Sequence, residues 1–122
     1  MARREASGSF RELRVWQEAF ALTVAVRPVC DALQRGRRWH LADPLARAAT
    51  SVHANIAEGD GRSTPRDRAR LFLIARGSLL ETESRLTEAD IDPTIAPLTA
   101  PCFTHTRHTA RLLAALLRSL QF

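Results

Sequence analysis

A chain of 122 residues, 45% hydrophobic and 25% charged, can enclose one core, which excludes a disordered chain and a miniature scaffold dependent on staples. All 18 basic residues are arginine against 13 acids, and the resulting +5 favours anionic partners over cationic ones. No apolar run approaches the ~20 residues of a membrane span and Met1 to Phe10 lacks a signal peptide's apolar stretch, so no membrane contact and a cytoplasmic location are expected.

Residues 1–9 read as a flexible N-terminal arm and 10–122 as one four-helix bundle domain. Strand signals are nearly missing, while helical spacing dominates. From Phe10 to about Leu33 one seam steps through Leu13, Trp16, Phe20, Thr23 and Cys30, with Arg27 out of character. A second reads Val15, Ala19, Leu22, Val26, Val29 and Leu33. Two seams imply a helix covered on two sides, by its own bundle and by another subunit, or one deeply embedded helix in a monomer. The first alternative makes Val15, Ala19, Leu22 and Val26 an oligomer interface. Pro28 falls on the polar face, where a kink is tolerated.

The first connection spans Arg35 to His40, with Gly36 at C′. Asp43 and Pro44 suit the cap and first turn of the second helix, although Leu41 and Leu45 share a face and allow an earlier start. That helix turns Leu45, Ala48, Val52 and Ile56 inward and stops at Gly59-Asp60-Gly61. Thr64-Pro65-Arg66-Asp67 opens the third helix as cap, first-turn proline and N3 acid. Its core seam is Phe72, Ala75, Leu79, Thr82 and Leu86, interrupted by Gly77, where a neighbouring helix is expected to pass too close for a Cβ. Asp90 to Pro93 connects to a last helix that is continuous only from about Pro101, since Pro97 and Pro101 are each costly inside a helix. Four segments joined by short connections predict an all-α, up-down-up-down antiparallel four-helix bundle.

The stretch RAATSVHANIAEGDGR from Arg47 to Arg62, followed by FLIARGSLLETES from Phe72 to Ser84 and preceded by LRVWQEA from Leu13 to Ala19, resembles the four-helix-bundle proteins encoded in intervening sequences of 23S ribosomal RNA genes. Members of that family are similar to the accessory protein of diversity-generating retroelements, a basic, ring-forming pentamer that binds nucleic acid and assists a reverse transcriptase. The resemblance therefore implies a homopentameric ring. It departs at Ala46, where a basic residue is usual, at Pro44, where glutamine is common, and at His53, where many members have proline.

Arg47, Asn55, Glu58 and Glu81 contain the groups of an acid–base site, but no nucleophile with an adjacent base accompanies them, so no catalytic residue is assigned. A structural role is expected instead. Asn55, Glu58 and Gly59 finish a helix, and Arg47 pairs with Glu81 between helices two and three. No Glu-x-x-His pair occurs, and His105 and His108 share a helix face with no carboxylate near them in sequence, so neither a metal nor another cofactor is expected. Cys30 and Cys102 lack metal-ligand spacing and read as buried free thiols.

An antiparallel bundle gathers the N-terminus, the second connection and the C-terminus at one pole. Arg3, Arg4, Arg11, Arg14, Arg62, Arg66, Arg68, Arg70 and Arg118 meet five carboxylates there, a net +4, while the opposite pole is −2. The macrodipole at the start of helix three disfavours cations, so helix stability does not explain the arginines around it. Phosphate binding by Arg11, Arg14, Arg62, Arg66, Arg68 and Arg70 does; the alternative is a solvated charge run balanced by Asp60 and Asp67. Few aromatics flank these arginines in sequence, so contact with the RNA or DNA backbone is expected more than stacking on bases. The competing function is a protein-interaction scaffold for a polymerase or reverse transcriptase that does not touch nucleic acid.

Overall fold

Ser9 begins the described part of the chain, which covers residues 9–120 in the computed structural model. Its hydroxyl accepts the Arg11 N–H at 3.0 Å and starts a short 3-10 turn, Phe10–Glu12. The arm expected over 1–9, including Arg3 and Arg4, lies outside the described residues except for Ser9. Four helices follow: α1 (Arg14–Arg35), α2 (Trp39–Asp60), α3 (Pro65–Ala89) and α4 (Ala96–Ser119). No strand occurs among the described residues, and none of their helices is long and apolar enough to cross a membrane.

Cross-helix hydrogen bonds fix the antiparallel register. Thr23 Oγ1 donates to the Ala49 carbonyl and Cys30 Sγ to that of Ala42, so α1 runs down as α2 runs up. Ser51 and Ser78 share a hydrogen bond between α2 and α3, and Cys102 Sγ donates to the Ala25 carbonyl between α4 and α1. Each helix lies beside two neighbours, with α2 against α3 the most extensive contact and α3 against α4 the thinnest. Leu22, Leu33, Leu45, Ile56, Phe72, Leu79, Leu86 and Leu113 are essentially inaccessible, each worth about 1.5–3 kcal/mol of burial. The inward seams expected on α2 and α3 are all buried as read.

The second seam of α1 is corrected. Val15, Ala19, Leu22 and Val26 are at most 5% exposed within a single chain, so they form its own core and offer no surface to a second subunit. Trp16, Phe20 and Thr23 of the first seam lie at the edge of α1 against α2, with Phe20 left 42% exposed, while Cys30 at the end of that seam is buried in the core. A seam-by-seam reading misassigned them because both lie within half a helix circumference, and only the placement of α2 and α4 separates core from edge.

Helix ends moved in three places. α1 runs to Arg35, which makes Gly36 the C-cap with φ −86° and shifts the left-handed position to Arg37, φ 61°. The Arg38 N–H then bonds the Leu33 carbonyl and the Arg37 N–H that of Gln34, a Schellman closure displaced by one residue. α2 starts at Trp39, the earlier start that Leu41 allowed, so Asp43 is not its cap. α4 starts at Ala96, with Pro97 in its first turn and Pro101 inside it. The carbonyls orphaned by Pro28, Pro44 and Pro101 belong to Val24, His40 and Pro97, all exposed residues within reach of solvent, which is why the helices can continue through the prolines.

The glycine expectation is also corrected. A Cβ on Gly77 would meet nothing within 4 Å, whereas one on Gly59 would sit 2.6 Å from Phe72 Cε1. The close approach of α2 and α3 is therefore at Gly59. On α4 the buried positions include Thr99, Thr106 and Thr109, and the Thr109 hydroxyl has no hydrogen-bond partner among the described residues. Thr109→Val keeps the side-chain shape and removes an unsatisfied hydroxyl, so it should stabilise the bundle by about 1–3 kcal/mol, read as a raised thermal midpoint.

Candidate nucleic-acid interface

The start of α1, the end of α2, the start of α3 and the end of α4 share one pole, as the antiparallel topology requires. Among the described residues it carries seven arginines and four carboxylates, a net +3. Thr64 caps α3 by accepting the Asp67 N–H at 3.1 Å, with Pro65 in the first turn. That cap places Asp67 where it meets both Arg70, at 3.2 Å, and Arg62, at 3.8 Å; Arg62 also bonds Glu58 one turn back. Arg68 reaches 3.7 Å to Asp60, whose side chain is only 8% exposed.

These contacts divide the six arginines expected to bind nucleic acid. Arg62, Arg68 and Arg70 are engaged with carboxylates of their own chain, and they join the second connection to the first turns of α3. Arg11, Arg14 and Arg66 are exposed with no carboxylate within 4 Å among the described residues, and Arg118 resembles them in this. At the opposite pole Arg38 bonds Asp92, tying the first and third connections together. Hydrogen bonds from the Thr94 hydroxyl and N–H, then from Arg38, hold the Asp92 carboxyl below its ordinary range.

The family-motif residues occupy the outer groove between α2 and α3. Asn55 Nδ2 donates to the Ser51 carbonyl and hydroxyl, and Ser51 meets Ser78 at 2.8 Å. The expected Arg47–Glu81 pair is not formed. Both side chains line one polar cavity of about 310 Å³, but Glu81 pairs with Arg85 a turn away on its own helix while Arg47 is exposed. An i,i+4 partner on the same helix needs no bridge across the groove. Glu58 bonds Arg62, and Gly59 makes the tight helix contact described above.

Three-dimensional proximity adds two clusters that sequence spacing did not show. Glu18 on α1 lies 2.9 Å from His105 Nδ1 and 3.7 Å from His108 Nδ1, giving the two histidines the carboxylate they lack locally. Both imidazoles face the same oxygen, and no three described His, Cys, Asp or Glu residues are placed to hold a metal. The second cluster is aromatic. Trp16 and Phe20 stack with centroids 5.0 Å apart, Phe10 packs edge-on against Trp16, and His53 stands edge-on to both Trp16 and Phe20. Arg11 lies over the Phe10 ring at 4.7 Å, so aromatic surface does adjoin the basic pole. The available signal was the i,i+4 spacing of Trp16 and Phe20; His53 joined them only through the α1–α2 register. Cys30 and Cys102 are both free and buried, and burial pushes each thiol up to about 11, keeping both protonated at neutral pH.

The model of the 23S rRNA-intervening sequence protein family matches residues 11–93. The chain belongs to that family. No match is found among curated proteins. The matched region contains α1 to α3, including Arg47, Asn55, Glu58, Gly59, Gly77 and Glu81; α4, which the resemblance covered only in character, lies beyond it. In this intervening-sequence protein the polar motif residues of α2 and α3 are helix-packing and groove residues, while the matched region also takes in Arg11, Arg14 and Arg66 of the basic pole.

Proposed function

We propose that this intervening-sequence protein is a non-catalytic homo-oligomer, a ring of five like the retroelement accessory proteins it resembles, that binds RNA or DNA phosphates on its basic pole. The observation that carries the reading is the separation of charge along the bundle, with Arg11, Arg14, Arg66 and Arg118 exposed and without carboxylate partners among the described residues at one end. Four guanidinium groups held apart on rigid helix ends suit the spaced phosphates of a nucleic-acid backbone better than a single small anion. In a cyclic assembly all basic poles point the same way and their fields add.

The surface available for self-association is on α3. Leu73, Ile74 and Leu80 are 44–58% exposed and flank Gly77, forming an apolar ridge on the outward side of that helix. A ridge of this size on a basic chain is better covered than left in water.

Binding to a duplex DNA and to a generic structured RNA should weaken steeply with salt. Replacing Arg14 and Arg66 together by alanine should lower the slope of log K against log salt by about 0.7–0.9 per lost phosphate contact, without loss of helix content. Affinity indifferent to salt, or none at low salt, overturns the reading. Retention of a polymerase or reverse transcriptase after nuclease treatment by a protein that binds no nucleic acid would favour the scaffold instead.

A further inference from the structure

Phe20 is a large aromatic side chain left 42% exposed beside Val24, which is 51% exposed, while its ring neighbour Trp16 is partly buried. It is held flat against the Trp16 indole, with 20° between the rings, and His53 of α2 braces its edge at 5.3 Å. Burial lowers the His53 pKa, so the imidazole beside Phe20 is neutral at physiological pH and presents a ring rather than a charge. The result is a rigid aromatic ledge on the α1–α2 side of the bundle.

Its position is specific. At 1.5 Å per residue, Phe20 lies only about 9 Å along α1 from Arg14 at the basic pole. Phe10, covered by Arg11, continues the row toward that pole. On the other side of Phe20 the groove between α1 and α2, about 290 Å³, continues past Thr23 and Arg27. A strand whose phosphate engages Arg11 lies at the end of a row of rings, Phe10, Trp16 and Phe20, of which Phe20 is exposed and already backed by a second ring. α3, which carries the apolar ridge, is not a neighbour of α1 in the bundle, so association through that ridge leaves the ledge open.

We infer that the Phe20–Trp16–His53 ledge is a stacking site for an unpaired nucleobase, which makes this protein a binder of single-stranded or locally unpaired nucleic acid. The inference rests on the nucleic-acid reading above and deepens it. A paired base inside a duplex has no free face to offer the ring, whereas a single strand offers one at every nucleotide without regard to sequence.

The test uses the full chain with Trp39→Phe, so that Trp16 is the sole indole, titrated with oligouridylate and with a duplex DNA of equal length. Oligouridylate should change Trp16 emission and the duplex should not. Phe20→Ala should weaken the oligouridylate complex about tenfold, leave duplex affinity unchanged and keep the helical circular dichroism; Phe20→Tyr should restore binding. If both nucleic acids bind with salt dependence but Trp16 emission and the Phe20 variants are silent, the ledge is not a stacking site although the basic pole still binds phosphates. If neither binds, the nucleic-acid reading itself falls. A drop in mass by light scattering for Phe20→Ala would assign the ledge to a second copy of the chain and overturn the inference.

Discussion

Replacing Leu22 with glutamate should unfold the bundle. Leu22 is completely inaccessible in the single chain, so the substitution removes its packing, worth about 2–5 kcal/mol, and places a carboxylate in the core at a further cost of several kcal/mol. Against the 5–15 kcal/mol that stabilises a typical domain, that is enough to abolish the helical circular dichroism near room temperature. Leu80→Glu provides the contrast. Leu80 is 58% exposed on the α3 ridge, so the bundle should change by no more than about 0.5 kcal/mol while the mass measured by light scattering falls. A folded Leu22→Glu would show that the α1 seam is not core, and an unchanged mass for Leu80→Glu would remove the ridge from the assembly.

The two glycines of the matched helices should respond in opposite directions. Gly59→Ala gains about 1 kcal/mol of helix propensity but puts a Cβ 2.6 Å from a fully buried Phe72 ring and 3.2 Å from Leu71 Cβ. The contact is with a rigid, fully buried ring rather than the tip of a flexible side chain, so the overpacking penalty of about 1–3 kcal/mol or more dominates, and the thermal midpoint should fall by several degrees. Gly77→Ala meets no neighbour and keeps the propensity gain, so its bundle should melt about 1 kcal/mol later. Thermal unfolding of the two variants side by side is decisive, because equal shifts would mean that the α2–α3 approach is not closest at Gly59.

The contrast shows what the sequence could and could not specify. Apolar spacing was sufficient for the number of helices and for the inward faces of α2 and α3, because one stripe per helix admits only one burial direction. It failed on α1, where two adjoining stripes required knowledge of which neighbours flank the helix. A glycine inside a helical pattern signals either close approach or an open position, and spacing does not distinguish Gly59 from Gly77. The prolines of α2 and α4 misplaced helix starts because the residues whose carbonyls they orphan, His40 and Pro97, are exposed and the helix tolerates the lost bonds there. At the candidate site, topology gathered the arginines correctly at one pole. Whether each is paired depends on side-chain geometry set by the Thr64 cap, which brings Asp67 to Arg62 and Arg70 while leaving Arg66 alone. The Glu18–histidine contacts and the aromatic ledge join residues more than 30 positions apart, beyond the reach of any local pattern.

The threonines lining α4 give the molecule an internal gradient of opening. Where α1, α2 and α3 bury rows of leucine, valine, isoleucine and phenylalanine, α4 buries Thr99, Thr106 and Thr109 with Cys102 and Leu113, and its contact with α3 is the thinnest in the bundle. Its larger apolar side chains Leu98, Phe103, Leu112, Leu116 and Leu117 are only partly buried, so this helix is expected to be the low-energy cooperative unit that opens while the other three remain associated. In native-state hydrogen exchange its amides would lose protection before those of the other three helices, marking where breathing of the fold begins.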